Sequence, residues 1–228
     1  MNTKQEMIKL IKKIANRYGT YEVFFDFVQL AALAIANKDE DDKNVFDQKE
    51  QQYFDILGKY KKEDFDVFPH LLASLTMELN YYPSDVLGEI FHDLELHNKW
   101  KGQFFTPINV CVMMSKMLFG NAEQLIEKQG YITIDEPACG SGAMLIGMAQ
   151  SLKNKEHDYS SRMLVRATDI DIRCIHMTYV QLSLLGIPAV VIHGNSITME
   201  TWDTWETPLH RQIRKLQEKN KKDGGKSA

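Results

Sequence analysis

The second half of the chain alternates short apolar runs with helical patterns, and this alternation constrains the fold most. Three runs rich in β-branched residues are predicted as strands, over 131–135, 163–168 and 189–193. Helices are predicted between them, over 143–152 and 173–185. Buried β-branched segments separated by helices are typical of a parallel sheet, because parallel strands need a crossover connection. The sequence therefore predicts an α/β fold.

The first hundred residues have a different pattern, because their apolar residues recur at helical spacing. Ile8, Ile11 and Ile14 share one face of the first helical segment. A second, more apolar helix is predicted over 21–37, and the acidic run at 39–42 after it is interpreted as a solvated loop. The chain is thus divided into a helical N-terminal domain, an α/β domain and a basic tail (1–101, 102–208 and 209–228).

Composition and charge exclude several classes of protein. With 228 residues, 44% hydrophobic and 25% charged, the chain has the composition of a folded globular protein. No apolar run approaches the roughly 20 residues of a membrane span, and the first residues lack a signal-peptide core. Cys111, Cys139 and Cys174 have no paired spacing, so neither a disulfide framework nor a metal cluster is indicated. We expect a cytoplasmic protein without a membrane partner.

The net charge of −4 argues against general attraction of the whole molecule to nucleic acid. The basic tail over 211–226 is the local exception. It is predicted as a frayed helix, with a phosphate-contacting arm as the alternative.

A glycine-rich turn joins the first predicted strand to the helix after it. Residues 135–142 read Asp-Glu-Pro-Ala-Cys-Gly-Ser-Gly. Glycines let a backbone approach a ligand closely, and the free N–H groups at a helix N-terminus suit a carboxylate or phosphate. A tight turn built for packing alone is the alternative interpretation.

Polar residues also follow the next two predicted strands. Asp169 ends the second strand, where nucleotide-binding α/β folds place an acid that accepts from ribose hydroxyls. A helix N-cap is the alternative role there, and Asp171 fits it better. Residues 193–196, His-Gly-Asn-Ser, end the third strand. Asn195 offers an amide that could contact an adenine edge, or it forms a turn.

An aromatic loop precedes the sheet. Residues 102–107 read Gly-Gln-Phe-Phe-Thr-Pro and lead into a helix predicted over 109–119, with Pro107 suited to its first turn. The aromatic pair beside Thr106 could form a lid over a cofactor, or a hydrophobic staple for the helix.

In combination these features closely resemble one family, the N6-adenine DNA methyltransferases, and particularly the modification subunits of type I restriction systems. Those proteins have a helical N-terminal region, then Gly-Gln-Phe-Phe-Thr-Pro, then Asp-Pro-Ala-Cys-Gly-Ser-Gly. The chain has the first motif at 102–107 and the second at 135–142, with Glu136 inserted. Residues 84–91 are also similar to the helix before the first motif, and the resemblance covers roughly 84–198.

The resemblance implies a Rossmann-like methyltransferase core, S-adenosylmethionine as the cofactor and methyl transfer to adenine N6 in DNA. Thr106 and the backbone around Gly140 and Gly142 would contact the methionine carboxylate. Asp169 would hold the ribose, and Ile170 would pack on the adenine, with Asn195 near its N6. The residues so assigned to cofactor binding are Phe104, Thr106, Asp135, Pro137, Gly140, Ser141, Gly142, Asp169, Ile170 and Asn195.

One motif of that family is missing. Its members carry catalysis in an Asn-Pro-Pro-Tyr or Asn-Pro-Pro-Phe tetrapeptide, which accepts hydrogen bonds from a flipped adenine and stacks on it. No such tetrapeptide occurs in the chain. Thr207, Pro208 and His210 lie near the expected distance, and a degenerate version would use Thr207 as acceptor and His210 as the stacking ring. A plain turn is the favoured interpretation of this segment.

The predicted sheet is incomplete, because about 30 residues remain after its third strand, and they are predicted as a Trp-rich loop and a basic helix. The family's sheet has seven strands, so strand 131–135 would lie at an edge. Exposed edges invite pairing or covering. We expect the N-terminal helices and tail, a partner subunit or a second copy to cover this edge, unless the chain is a fragment. Trp202 and Trp205 are candidates for the cover.

Two functions therefore remain open. The first is an S-adenosylmethionine-dependent adenine DNA methyltransferase, which the cofactor motifs support. The second is a non-catalytic cofactor-binding or relic module that acts as a partner or regulatory subunit, which the missing tetrapeptide supports. Association with another methyltransferase chain would reconcile the two.

Overall fold

The part of the described chain that precedes the sheet is mainly helical. The computed structural model describes residues 3–96 and 105–224. Up to residue 96 its α-helices are α1 (Thr3–Tyr18), α2 (Thr20–Asn37), α3 (Lys43–Leu57), α4 (Val67–Tyr81) and α5 (Val86–Asp93). The predicted helical N-terminal region is confirmed, and the domain boundary predicted at residue 101 lies outside the described residues.

Helix α2 is a core helix because it is apolar on nearly every side. Val23, Phe24, Phe27 and Val28 are all buried, as expected for a helix without a polar face. The helix packs against α1 and α3. One buried cluster continues from these helices into the sheet that follows.

A four-stranded sheet forms the second part of the described chain, in the order β1-β2-β3-β4. The elements in chain order are α6 (Ile108–Gln129), β1 (Ile132–Glu136), α7 (Ala143–Lys153), α8 (Tyr159–Arg162), β2 (Met163–Asp169), α9 (Ile172–Leu184), β3 (Ala189–Asn195), β4 (Glu200–Glu206) and α10 (Pro208–Gly224). Strands β1, β2 and β3 are parallel. The α/β fold and its three predicted strands are confirmed.

The fourth strand corrects the prediction of a Trp-rich loop. Strand β4 pairs antiparallel to β3, with Trp205 opposite Val191 and a bulge between His193 and Gly194. Met199, at a φ of 62°, lies in the turn between the two strands. Threonine and tryptophan are good strand formers, and β3 supplies the pairing partner that the loop interpretation did not consider.

The two tryptophans of β4 do not cover the edge of β1, so that expectation is wrong. β1 and β4 lie at opposite edges of the sheet. Trp205 packs instead against α9, where its ring centroid lies 4.9 Å from that of His176 and 5.2 Å from that of Tyr179. Trp202 contacts His193 on the neighbouring strand. In the described sheet, β1 pairs with β2 alone.

The two faces of the sheet differ in how they are covered. Helices α7 and α9 pack against the strands, and the strand residues that face them, such as Val165 and Val191, are buried. On the other face, Leu164 and Val190 are half-buried and Arg166 is exposed. An open groove of about 450 Å³ runs over this second face.

The acidic run at 39–42 is solvated only in part, because Asp41 and Asp42 are exposed as predicted whereas Asp39 and Glu40 are half-buried. An Nη of Arg211 in α10 donates to the Asp39 carbonyl at 2.9 Å, and the Arg211 guanidinium lies 3.8 Å from the Glu40 carboxylate. Asp42 caps α3 by accepting from two amides of its first turn. The run therefore attaches α10 to the N-terminal helices.

Several basic side chains of the tail form ion pairs with acidic residues of the same chain. Lys215 pairs with Asp41, and Arg214 pairs with Glu206 at 3.0 Å. Lys219 lies further along α10 and is exposed. A phosphate-contacting role for the tail stays a prediction, and it depends on the lysines that follow Lys215.

In the described part of the chain, no single helix is both long and apolar enough to span a membrane. The bent pair α1 and α2, at 117° to each other, meets the criteria of length and composition only jointly.

Candidate cofactor site

The glycine turn between β1 and α7 is joined to the end of β2. The Gly140 amide donates to Asp169 Oδ2 at 2.9 Å, and the Cys139 amide donates to the Thr168 carbonyl at 2.9 Å. Both contacts lie at the carboxyl ends of the parallel strands, where open α/β sheets bind ligands. The structure therefore brings together the glycine turn and Asp169, as the sequence predicts for neighbouring parallel strands.

Asp169 is 7% exposed, and each of its carboxylate oxygens accepts one hydrogen bond within the chain. Besides the Gly140 contact, the Asp171 amide donates to Oδ1 at 2.9 Å. A carboxylate oxygen has two acceptor sites, so capacity for a ligand hydroxyl remains. Asp171, and not Asp169, is the N-cap of α9, because its Oδ1 accepts from the Arg173 amide. The preference for Asp171 as the cap is confirmed.

The turn requires glycine at two positions. Gly140 and Gly142 have φ values of 56° and 91°, which L-residues with a Cβ rarely adopt. A Cβ at Gly140 would lie 3.1 Å from the Phe105 ring, and one at Gly142 would lie 3.2 Å from Thr178 Oγ1. The N-terminus of α7 at Gly142 has no side-chain cap, so first-turn N–H groups of this helix are available to an anion.

The aromatic loop contributes a packed ring, and not a free lid, in its described part. The Phe105 ring lies 4.8 Å from the Phe91 ring and is buried against the glycine turn. Thr106 follows it and is exposed, so its hydroxyl is accessible to a ligand. Helix α6 begins at Ile108. Phe104 lies outside the described residues.

Ile170 directly follows β2, and Asn195 ends β3, two residues beyond His193, which pairs with Asp169. The Ile170 side chain is 62% exposed, which leaves an apolar surface for a ligand ring. Asn195 Oδ1 accepts from the Ile197 and Thr198 amides at 2.9 and 3.2 Å. Asn195 therefore forms the turn into β4, and its side-chain NH₂ is the group left to face a ligand.

The remaining motif residues separate into two groups. Asp135 and Pro137 are exposed and line a small cavity of about 80 Å³ together with Asn195. Ser141 is buried, and its hydroxyl donates to Asp85 Oδ2 at 2.6 Å. The Ser141 side chain thus points into the protein, and only its backbone is placed to contact a ligand. Sequence reasoning identified Ser141 but missed Asp85.

The structure does not bring Thr207, Pro208 and His210 to this site, which corrects the degenerate-tetrapeptide interpretation. Thr207 Oγ1 donates to the Ile187 carbonyl and accepts from the Ala189 amide, at 2.9 and 2.8 Å. These contacts lie at the amino end of β3, whereas Asn195 lies at its carboxyl end. Thr207 therefore fixes the start of α10, and it is fully buried there.

His210 lies on the first turn of α10, beside the open sheet face. Burial lowers the pKa of the His210 imidazole, although the Glu206 carboxylate opposes the shift. Its ring is therefore a mostly neutral, half-buried group at the wrong end of the sheet for stacking on a base at the glycine turn.

A parallel sheet with a glycine turn and an acid at its carboxyl edge is typical of α/β domains that bind nucleotide cofactors. The family model described as N-6 DNA Methylase matches residues 84–218, which is more than half of the chain. The chain therefore belongs to the N-6 DNA methylase family, and membership implies S-adenosylmethionine as its cofactor. The site fits this cofactor in its donor set, with an acid for the ribose and backbone N–H groups for the carboxylate.

Among solved structures, the chain is similar to a proposed class I S-adenosylmethionine-dependent methyltransferase from Listeria monocytogenes. The two are 17% identical with a TM-score of 0.46, and the match covers 88% of this chain and 56% of that one. The chain thus spans about half the length of that protein. No curated protein matches the sequence.

Proposed function

We propose that the chain binds S-adenosylmethionine at the carboxyl edge of its sheet and serves methylation of adenine N6 in DNA. The hydrogen bond between the Gly140 amide and the Asp169 carboxylate carries the proposal. It fixes two groups of complementary chemistry side by side, because the turn presents N–H donors and Asp169 presents acceptors. S-adenosylmethionine needs both kinds of group, because its carboxylate accepts hydrogen bonds and its ribose hydroxyls donate them.

Different residues of the site bind different parts of the cofactor. The Gly140 and Gly142 amides already donate to Asp169 and to the Cys139 carbonyl. The Ser141 amide, the first-turn amides of α7 and the exposed Thr106 hydroxyl therefore bind the methionine carboxylate, and Asp169 binds the ribose hydroxyls. Ile170 packs on the adenine ring. Asn195 Oδ1 is engaged in its own turn, so its NH₂ donates to adenine N1 rather than accepting from N6.

S-adenosylmethionine supplies a methyl group on a sulfonium, which needs orientation more than activation. The chain's contribution is to hold the cofactor with its methyl group towards a bound base, which is catalysis by proximity. Accepting groups for the adenine amino group are also required. The sequence has no Asn-Pro-Pro-aromatic segment to supply them.

A second candidate function follows from the edge strand β1. In the described sheet β1 has a neighbour on one side only, and its carboxyl end leads directly into the glycine turn. A strand added beside β1 would end next to the cofactor. We propose that a partner subunit or a second copy supplies the acceptor site there, so that this chain alone acts as a cofactor-binding subunit.

Calorimetric titration with S-adenosylmethionine tests cofactor binding. We expect micromolar affinity in the natural chain and its loss in Asp169→Ala. Asp158→Ala is the control, because the Asp158 carboxylate likewise accepts from a backbone amide two residues later but lies at the start of α8, away from the turn. Absence of binding by the natural chain would overturn the proposal.

Transfer of labelled methyl groups to undermethylated duplex DNA tests the reaction. If the chain acts only as a cofactor-binding subunit, it binds the cofactor but labels no DNA by itself at any concentration. Labelling by the purified chain alone would overturn this second candidate and support the complete enzyme.

A further inference from the structure

A buried carboxylate connects the N-terminal helices to the glycine turn. Asp85 is the N-cap of α5 and accepts from the Gly88 amide at 3.1 Å. It also accepts from the Ser141 hydroxyl at 2.6 Å and from Gln181 Nε2 at 2.8 Å. The carboxylate thus joins three elements, α5, the turn and α9, that are distant in sequence.

Gln181 closes this network into a ring. Its Nε2 donates to the Ser141 carbonyl at 2.8 Å as well as to Asp85. Its Oε1 accepts from the Leu87 amide at 3.1 Å. Both the side chain and the backbone of Ser141 are therefore held, and Gln181 is fully buried.

Packing alone does not require such a network. Removing a carboxylate from water is costly unless hydrogen bonds compensate it, and apolar side chains would fill the same space at less cost. Burial raises the pKa of the Asp85 carboxyl, and its hydrogen bonds from Gln181, Ser141 and Gly88 oppose that rise. Gly88 has no room for a Cβ, which would overlap the Asp85 carboxylate. A fully satisfied buried network specifies one arrangement of its members.

The network holds Ser141, which lies in the middle of the glycine turn. Gly140 and Gly142 flank Ser141, and glycines lose more conformational freedom on ordering than other residues do. Asp169 holds the turn on the Gly140 side, whereas Asp85 and Gln181 hold its middle. A turn that is ordered before binding spares the ligand that ordering cost.

We propose that Asp85 is a positioning residue for the cofactor site, acting through Ser141 to keep the glycine turn in its binding conformation. The inference deepens the proposed function, on which its affinity readout rests. It also couples α5 to the ligand, although Asp85 itself does not touch the ligand.

The test compares two serine-to-alanine substitutions in the same part of the fold. Ser141→Ala removes the hydroxyl that reaches Asp85 and leaves the backbone donors of the turn in place. Ser151→Ala is the matched control, because Ser151 is equally buried but donates within α7, to the Gly147 carbonyl at 3.0 Å. Asp85→Ala approaches the same contact from α5.

Two readouts separate positioning from general stability. Amide hydrogen exchange of residues 137–145 in the cofactor-free protein should accelerate about tenfold in Ser141→Ala and stay unchanged in Ser151→Ala. Affinity for S-adenosylmethionine should fall about tenfold in Ser141→Ala only. Ser141→Ala should also have the lower thermal midpoint, because it leaves the buried Asp85 carboxylate without one of its donors. The confinement of faster exchange to residues 137–145, and not the midpoint, therefore identifies the positioning role. If Asp85→Ala folds, its turn should exchange at least as fast as that of Ser141→Ala.

Equal exchange and equal affinity in the two serine variants would overturn the positioning role. If the natural chain binds no S-adenosylmethionine, the proposed function fails, and hydrogen exchange still decides whether Asp85 orders the turn. The two failures are therefore distinguishable.

Discussion

Asp169 and Gly140 are joined by a 2.9 Å hydrogen bond from the Gly140 amide to the Asp169 carboxylate. The acid at the end of β2 thereby has two tasks, because it orders the turn after β1 and keeps acceptor capacity for a ligand. Substitution of Asp169 removes both at once. Variants that change the glycine turn and leave the Asp169 carboxylate in place are therefore more informative than substitution of Asp169.

Gly142→Ala should destabilise the protein and weaken cofactor binding together. Left-handed backbone strain alone costs about 1–2 kcal/mol for an alanine, and the new Cβ would also press on Thr178 Oγ1 at 3.2 Å. Gly186→Ala is the control, since Gly186 has a φ of 66° but no atom within 4 Å of the new Cβ. Urea unfolding and calorimetry check this. Equal losses of affinity in the two variants would contradict a specific role of the turn.

Arg211→Ala should destabilise the protein by about 1–3 kcal/mol, because Arg211 donates to the Ala36 carbonyl in the last turn of α2 and to the Asp39 carbonyl just after it. Arg214→Ala should cost less than about 1 kcal/mol, because the Arg214 side chain is 43% exposed and its partners are other side chains rather than buried carbonyls. Urea unfolding of both variants measures the difference. A larger cost for Arg214 would refute the attachment of α10 through Arg211.

Trp205→Ala should cost about 3 kcal/mol or more, and Trp202→Ala about 1 kcal/mol or less. The two side chains lie on the same strand, but Trp205 is 8% exposed and Trp202 is 50% exposed, and loss of a buried aromatic ring leaves a cavity. Denaturant unfolding followed by circular dichroism checks both. Similar costs would indicate that β4 is not paired as described.

Stability should decline as the pH falls below about 6.5 because of His176. Burial lowers the pKa of this imidazole to about 4 from 6.5, so the unfolded chain takes up the proton first. The stabilisation that the neutral, buried imidazole provides is complete above pH 6.5. It is lost as the pH falls towards 4, which lowers the free energy of unfolding by about 3 kcal/mol in total. Unfolding free energies measured between pH 7 and 5 test this.

His176→Gln should flatten that pH dependence, whereas His70→Gln should leave it unchanged, because His70 is exposed. An unchanged slope in His176→Gln would show that other groups cause the decline.

The parallel core was predictable because its signals are local. Runs such as Val-Val-Ile at 190–192 identify buried strands, and the glycines at 140 and 142 mark a turn that needs positive φ. Asp171 was predictable as a cap from its place directly before α9. Each of these follows from neighbours within a few residues.

The features that the sequence pattern did not predict depend on partners far away along the chain. Asp39 and Glu40 were predicted to be solvated because their partner, Arg211, lies more than 160 residues later. The Trp-rich segment became a strand through pairing with β3, and Thr207 was fixed by carbonyl and amide groups at the other end of that strand. Asp85 carried a visible N-cap signal, but its bond to Ser141 spans 56 residues.

The ring formed by Asp85, Ser141 and Gln181 also limits how this chain can be recombined with its relatives. A chimera that exchanges the N-terminal helices without matching residues at these three positions leaves a buried hydroxyl, amide or carboxylate without its partner. Each such orphan costs about 1–3 kcal/mol or more. Helix α5, the turn and α9 must therefore be exchanged together in such a chimera, although they come from three separate stretches of sequence.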